Sequence, residues 1–123
     1  MEIVLLDTNI LIEILKGDQK TIHTVQTLNA ELAISSITAM ELYYGALNKR
    51  ESNRLAKFIS LFRVIEINET ISKQATTLVR SYAKSHNLDI PDSLIAATAL
   101  TVNTRLLTYN TKDFHYIEGI RLI

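Results

Sequence analysis

Four acidic residues stand where a parallel sheet would bring reactive groups together. Asp7 directly follows the first predicted strand, and Asp113 follows the fourth. Glu41 lies in the second turn of the helix after strand two, and Asp92 lies in the first turn of a later helix. Ligands of open parallel sheets bind outside the carboxyl ends of the strands. The sequence therefore predicts a cluster of carboxylates at this edge of the sheet.

A cluster of carboxylates needs a positive partner, because two of them about 5 Å apart repel by about 3 kcal/mol at an effective dielectric of roughly 20. The simplest partner is a hard divalent cation, Mg²⁺ or Mn²⁺, which takes oxygen ligands and keeps several waters. Such an ion polarises a phosphodiester, lowers the pKa of a bound water and stabilises a leaving oxygen. The acidic residues thus predict metal-dependent phosphoryl transfer.

Each of these acids also has a simpler structural explanation. Asp7 could cap the following helix, although Thr8 or Asn9 could do so in its place. Asp92 could be a first-turn acid favoured by the helix dipole, with Asp89 as the cap. It is the clustering of the acids, more than any one of them, that favours a metal site.

The composition is that of one compact, soluble domain. The 123 residues are 47% hydrophobic and 21% charged, with three Gly, one Pro and no Cys, which excludes disordered chains and thiol chemistry. The 13 basic and 13 acidic residues cancel, so any attraction to nucleic acid must be local. No apolar run approaches the roughly 20 residues that a membrane helix needs, which predicts a cytoplasmic protein with no membrane partner.

Short apolar strands alternate with helical patterns along the chain. Strands are predicted at 2–6, 32–35, 64–67 and 105–109, with a fifth, edge strand at 120–123. One intervening helix is predicted to start at Ser36 as its cap and to run to about Lys49. This alternation predicts a three-layer α/β fold with a mainly parallel sheet.

Four motifs of the chain resemble those of the PIN-domain ribonucleases, in particular the VapC-type toxins of bacterial and archaeal toxin–antitoxin pairs. They occur in the family's order over nearly the whole chain, and they are Asp7-Thr8-Asn9, Ser35-Ser36 with Met40-Glu41-Leu42 and Gly45, residues 91–99 (PDSLIAATA) and residues 107–114 (LTYNTKDF). The resemblance implies a single PIN-like, Rossmann-like domain over residues 1–123, with four or five strands in the order 3-2-1-4-5. It also implies a Mg²⁺- or Mn²⁺-dependent endoribonuclease that hydrolyses RNA phosphodiester bonds.

The same resemblance implies roles for three of the acids. Asp7 and Asp92 match the family's principal metal-binding aspartates. Glu41 matches the acidic residue of the second motif, which would either ligate the ion through water or take the proton of the attacking water.

Polar neighbours of these acids complete the implied site. Asn9, beside Thr8, matches a residue that positions the first aspartate and the scissile phosphate. The family's fourth acidic position falls on Asn110, an amide, and Asp113 follows in the same loop as a further candidate for catalysis and metal binding.

A run of basic residues follows the second motif. It has two interpretations, a solvated helix face or a rim that contacts RNA phosphates, and it contains Lys49, Arg50, Arg54, Lys57 and Arg63. The family resemblance implies RNA of the tRNA or rRNA class as substrate, a cognate antitoxin protein as partner, and a homodimer.

Two other functions compete with this one. A phosphoaspartate enzyme also places an Asp after strand one, but the phosphatase type would have a second Asp where this chain has Asn9. The non-enzymatic alternative is a degenerate PIN domain that binds RNA or protein without catalysis, which the amide at Asn110 would suit.

Overall fold

The sheet of the protein is parallel throughout in the computed structural model, which describes residues 1–123. Its strands lie in the order β3-β2-β1-β4. They are β1 (Ile3–Leu6), β2 (Glu31–Ser35), β3 (Arg63–Ile65) and β4 (Arg105–Leu107). The predicted parallel sheet and its order over four strands are confirmed.

Six α-helices connect and cover the strands. They are α1 (Thr8–Leu15), α2 (Gln19–Thr27), α3 (Ser36–Tyr44), α4 (Lys49–Ile59), α5 (Glu69–His86) and α6 (Ile90–Thr101). A single 3₁₀ turn, Thr111–Asp113, follows β4. None of the helices is both long and apolar enough to span a membrane.

The central strand β1 contributes side chains to two separate hydrophobic cores, one on each face of the sheet. Leu5 packs into one cluster with residues of α5 and α6, while Val4 and Leu6 pack into another with residues of α1, α2, α3 and α4. All three side chains are fully buried, and each such burial stabilises the fold by about 1.5–3 kcal/mol. A strand that is buried on both faces requires helices on both faces, so the predicted three-layer architecture is confirmed.

The predicted fifth strand at 120–123 is wrong as an element. Gly119, at φ +86°, turns the chain, and only Leu122 then forms a parallel bridge, with Leu106. Two hydrogen bonds flank this bridge, from Leu106 N to Arg121 O and from Ile123 N to Leu106 O. The segment therefore lies at the edge of β4 without extending into a strand.

The predicted helix from a Ser36 cap to Lys49 is wrong at both ends. Ser35 is the N-cap of α3, because its hydroxyl accepts from Ile37 N, whereas the Ser36 hydroxyl accepts from Ile67 N. The helix ends at Tyr44, and Asn48 caps a new helix, α4, by accepting from Glu51 N. The predicted end of this helix is therefore about five residues too late, and Lys49 is the first residue of the next helix.

Candidate functional site

Asp7 lies at the carboxyl end of β1 and is almost completely buried, with 4% of its surface exposed. Its Oδ1 accepts from Thr8 N at 2.8 Å, which makes Asp7 itself the N-cap of α1. Asp7 therefore has the structural role of the cap, for which Thr8 and Asn9 were also candidates. Its Oδ2 accepts from the Thr108 hydroxyl at 2.7 Å, so both carboxylate oxygens are held in place.

Thr108, the first residue after β4, links the ends of two strands. Besides donating to Asp7, its buried hydroxyl accepts from Asn110 N at 2.9 Å and from Asn9 Nδ2 at 3.5 Å. Asn9 Oδ1 in turn accepts from Tyr109 N. The sequence analysis did not single out Thr108, although its place directly after a strand at the carboxyl edge was a usable signal.

Glu41, on the helix that follows β2, is held in place by a residue that follows β1. The Thr8 hydroxyl lies 2.8 Å from Glu41 Oε1 and 3.0 Å from the hydroxyl of Thr38, a fully buried residue one helical turn before Glu41. Glu41 Oε2 makes no hydrogen bond within the chain. The first and second motifs are therefore joined by direct contact, and one oxygen of Glu41 is free.

Asp92 sits in the first turn of α6, half-buried, behind the N-cap Asp89, whose carboxylate accepts from Asp92 N at 2.8 Å. Burial, and with it the charges of Asp89, Asp7, Asp113 and Glu41, raises the pKa of Asp92 to about 7. The predicted capping role of Asp89 is confirmed. Acids from four separate chain segments therefore act on a single carboxyl group.

Asp7 belongs to the same electrostatic cluster. Burial raises the pKa of its carboxyl group, the hydrogen bonds from Thr108 and Thr8 oppose this rise, and the charges of Asp113 and Asp89 add to it. Negative charge is therefore concentrated at the carboxyl edge of the sheet, where a cation would relieve it.

The loop after β4 places Asn110 and Asp113 on the surface. With Tyr109, Thr111 and Lys112 they line a shallow cavity of about 340 Å³. Glu41 lines a second cavity, of about 430 Å³, with Ile37, Met40 and Tyr44. Asp113 makes no side-chain hydrogen bond within the chain, so it adds charge to the cluster without being fixed in it.

The donor atoms suit a hard divalent cation held with water. No group of three acidic or histidine side chains converges closely enough to hold a metal ion by itself. Mg²⁺ does not need such a group, because it commonly binds through one or two carboxylates and keeps several waters. Asp7 and Asp92, two mutually repelling carboxylates, therefore fit this kind of site.

The five basic residues of the predicted RNA-contacting run differ in whether they form an ion pair within the chain. Four lie exposed on α4 and form no ion pair within the chain, namely Lys49, Arg50, Arg54 and Lys57. Helix α4 packs against α3, which carries Glu41. Arg63 differs, because its guanidinium lies 3.4 Å from Glu31.

Comparison with known proteins gives consistent results. The PIN domain family model matches residues 4–120. Ribonuclease VapC10 of Mycobacterium tuberculosis is 31% identical over 121 residues, which cover 96% of this chain and 90% of the relative. The tRNA(fMet)-specific endonuclease VapC of Shigella flexneri is 28% identical over 123 residues, with 95% and 93% covered.

Solved structures agree with this match over almost the whole chain. A toxin–antitoxin complex from Klebsiella pneumoniae contains a chain with a TM-score of 0.82 and 33% identity, covering 98% of this chain and 95% of that one. VapBC2 from Rickettsia felis, bound to a DNA fragment from its promoter, gives a TM-score of 0.83 at 30% identity, with 98% and 97% covered. The chain therefore belongs to the PIN-domain family and, within it, to the VapC proteins.

Proposed function

We propose that this VapC protein is a Mg²⁺- or Mn²⁺-dependent endoribonuclease and the toxin of a toxin–antitoxin pair. The observation that carries the proposal is the convergence of charge on Asp92, whose pKa rises to about 7 through burial and through Asp89, Asp7, Asp113 and Glu41. Its curated relatives are named ribonucleases, which supports RNA as the substrate and does not favour a binding module without catalysis.

Each residue of the acidic cluster would have its own role in hydrolysis. Asp7 and Asp92 would hold the ion, and Asp113 would contribute charge from its loop. The bound ion supplies Lewis-acid activation of the phosphodiester and of the attacking water. Thr8 fixes Glu41 through Oε1, which leaves Oε2 to accept the proton of that water. Because water attacks, the ribose 2′-hydroxyl need not react, and the products should carry a 5′-phosphate.

Substrate positioning falls to the polar groups around Asp7. The side-chain amide of Asn9 and the backbone N–H of Asn110 both donate to the Thr108 hydroxyl, so the positions of the two residues depend on each other. From this arrangement we infer that Asn9, together with Thr8 and Asn110, orients the scissile phosphate. The exposed cations of α4 would add sequence-independent contacts to the RNA backbone.

Partners are proposed from the relatives. One relative is named as specific for tRNA(fMet), which supports an RNA of the tRNA or rRNA class for this chain. Several structural neighbours are toxin–antitoxin complexes, which supports a cognate antitoxin. The homodimer and the cytoplasmic location stay predictions, and light scattering of the purified protein tests the first.

The direct test is cleavage of purified total tRNA and rRNA with Mn²⁺, with Mg²⁺ and with EDTA. Wild type is compared with Asp7→Asn, which should keep the cap and lose cleavage. Asp18→Asn is the matched control, since Asp18 is also the N-cap of a helix, α2, and lies outside the acidic cluster. Discrete fragments with 5′-phosphate ends, from wild type and Asp18→Asn alone, are expected. Cleavage that persists in EDTA or in Asp7→Asn would refute the proposal.

A further inference from the structure

The rings of His86 and Tyr116 stack on each other at the surface of the protein, and this stacked pair is called the aromatic step below. His86 is the last residue of α5, it is exposed, and its ring stacks on that of Tyr116 with centroids 4.1 Å apart and planes 14° apart. Tyr82 packs edge-on against both rings, at 5.7 Å and 5.1 Å. One face of the imidazole ring is thus covered by protein while the residue remains open to solvent.

The step is fixed before any ligand arrives. The Ser85 hydroxyl lies 2.8 Å from His86 Nδ1, which restrains rotation of the ring. The next residue, Asn87, has a left-handed backbone at φ 56° and ends the helix. A side chain that is already ordered loses less entropy on binding than a free one.

The step also lies next to the acidic cluster. From His86 a short turn leads to Asp89 and so to Asp92, and Tyr116 follows soon after Asp113 through the fully buried Phe114. The stacked pair therefore joins the two chain segments that carry these acids. Burial raises the pKa of Tyr116, and the charges of Asp113, Asp92 and Asp89 raise it further, which supports this proximity.

We propose that His86, stacked on Tyr116, is a nucleobase-binding site that holds an unpaired base of the RNA beside the acidic cluster. This inference rests on the proposed ribonuclease function and adds a substrate contact to it. The carboxylates repel the phosphates of an RNA strand, so a contact that does not depend on phosphate charge would strengthen the attachment that the ion and the cations of α4 provide. Stacking of a base on an exposed ring is such a contact, because every base has an aromatic face.

The test measures binding of a short single-stranded RNA that carries a fluorescent purine analogue at successive positions. All proteins carry Asp7→Asn, and EDTA is present, so that cleavage is suppressed. His86→Ala should weaken binding by roughly 5- to 150-fold, the range expected for loss of one base–ring stack, and should abolish quenching at one position of the RNA. His86→Phe retains a ring and should bind as the parent does. His23→Ala, at an exposed histidine on α2, should leave binding unchanged.

Two results would overturn the proposal. Parent-like binding by His86→Ala would show that no base stacks there. Equal loss in His86→Ala and His86→Phe, with melting temperatures unchanged, would show that the RNA needs the imidazole nitrogen atoms and not a ring. Neither result touches the ribonuclease function itself, which is tested separately by cleavage with His86 intact.

Discussion

The hydroxyl of Thr108 donates a 2.7 Å hydrogen bond to Asp7 Oδ2 and thereby fixes the carboxylate at the end of β1 from the end of the neighbouring strand β4. Thr108→Val keeps the shape of the side chain and removes the donor. A buried carboxylate oxygen without its partner costs about 1–3 kcal/mol, so we expect the free energy of unfolding to fall by that amount and cleavage to drop sharply. Urea unfolding and RNA cleavage measure the two effects.

Thr104, at the other end of β4, is the control for this substitution. Its hydroxyl is also buried but has no hydrogen-bond partner. Thr104→Val should therefore leave stability unchanged or raise it, with normal cleavage. Thr108→Ser should keep the donor and retain activity. If Thr108→Val cleaves RNA as well as Thr108→Ser does, this hydrogen bond has no role in catalysis.

The second prediction concerns stability against pH. The pKa of Asp92 is about 7 in the folded chain and 3.8 ordinarily, so folding takes up a proton between these values. The contribution of Asp92 to the stability of the metal-free protein is therefore greatest at low pH. It should decrease as the pH rises from 3.8 to about 7. Asp92→Asn removes this loss. Near pH 8 we expect the variant to be more stable by on the order of 1 kcal/mol, after allowance for screening at this half-buried site, and to be inactive.

Thermal melts across this pH range check the sign of the effect. Glu66→Gln, at an exposed acid outside the cluster, is the control and should follow the wild-type curve. An Asp92→Asn variant that is less stable than wild type near pH 8 would show that Asp92 is held by favourable contacts and is not strained by its neighbours.

The third prediction is stabilisation by metal. At the proposed site Mn²⁺ would bind only the folded chain, so at about 100 times its Kd it should add about 2.7 kcal/mol to the free energy of unfolding. The rise in Tm should disappear with EDTA and in Asp7→Asn. It should also shrink as pH falls below about 7, because protons compete with the ion for Asp92. An equal rise in wild type and in Asp7→Asn would place the ion elsewhere.

The fourth prediction concerns the exposed cations of α4. Arg50→Glu combined with Arg54→Glu should weaken RNA binding and reduce its dependence on salt, since each lost phosphate contact lowers the slope of log K against log salt by about 0.7. Lys20→Glu combined with Lys73→Glu makes the same charge change on α2 and α5. Identical binding by the two double variants would mean that only net charge matters.

Local pattern was sufficient to predict most of the fold. The unbroken apolar run of β1 required helices on both faces, and the acids after the strands predicted a charged carboxyl edge. The end of α3 was predicted at Lys49 and not at Tyr44, because apolar residues continue after Tyr44 and Asn48 was not recognised as the cap of α4.

The candidate site was only partly predictable for a different reason. Thr108 is an ordinary strand-end residue in the sequence, and its importance comes from a partner, Asp7, at the other end of the chain. The hydrogen bond from Thr8 to Glu41 is similar, since it joins residues of two separate motifs. Contacts of this kind depend on how the strands pair, which no local pattern contains.

The pairing of β1 with β4 also sets the order in which the protein becomes competent during synthesis. Asp7 is made among the first residues and the hydroxyl that fixes it among the last, and β1 can pair with its neighbour β4 only when both strands have been made. Contacts so distant in the chain form late in folding. A nascent or truncated chain that stops before Thr108 therefore carries its principal acids without the arrangement that would make them harmful to RNA.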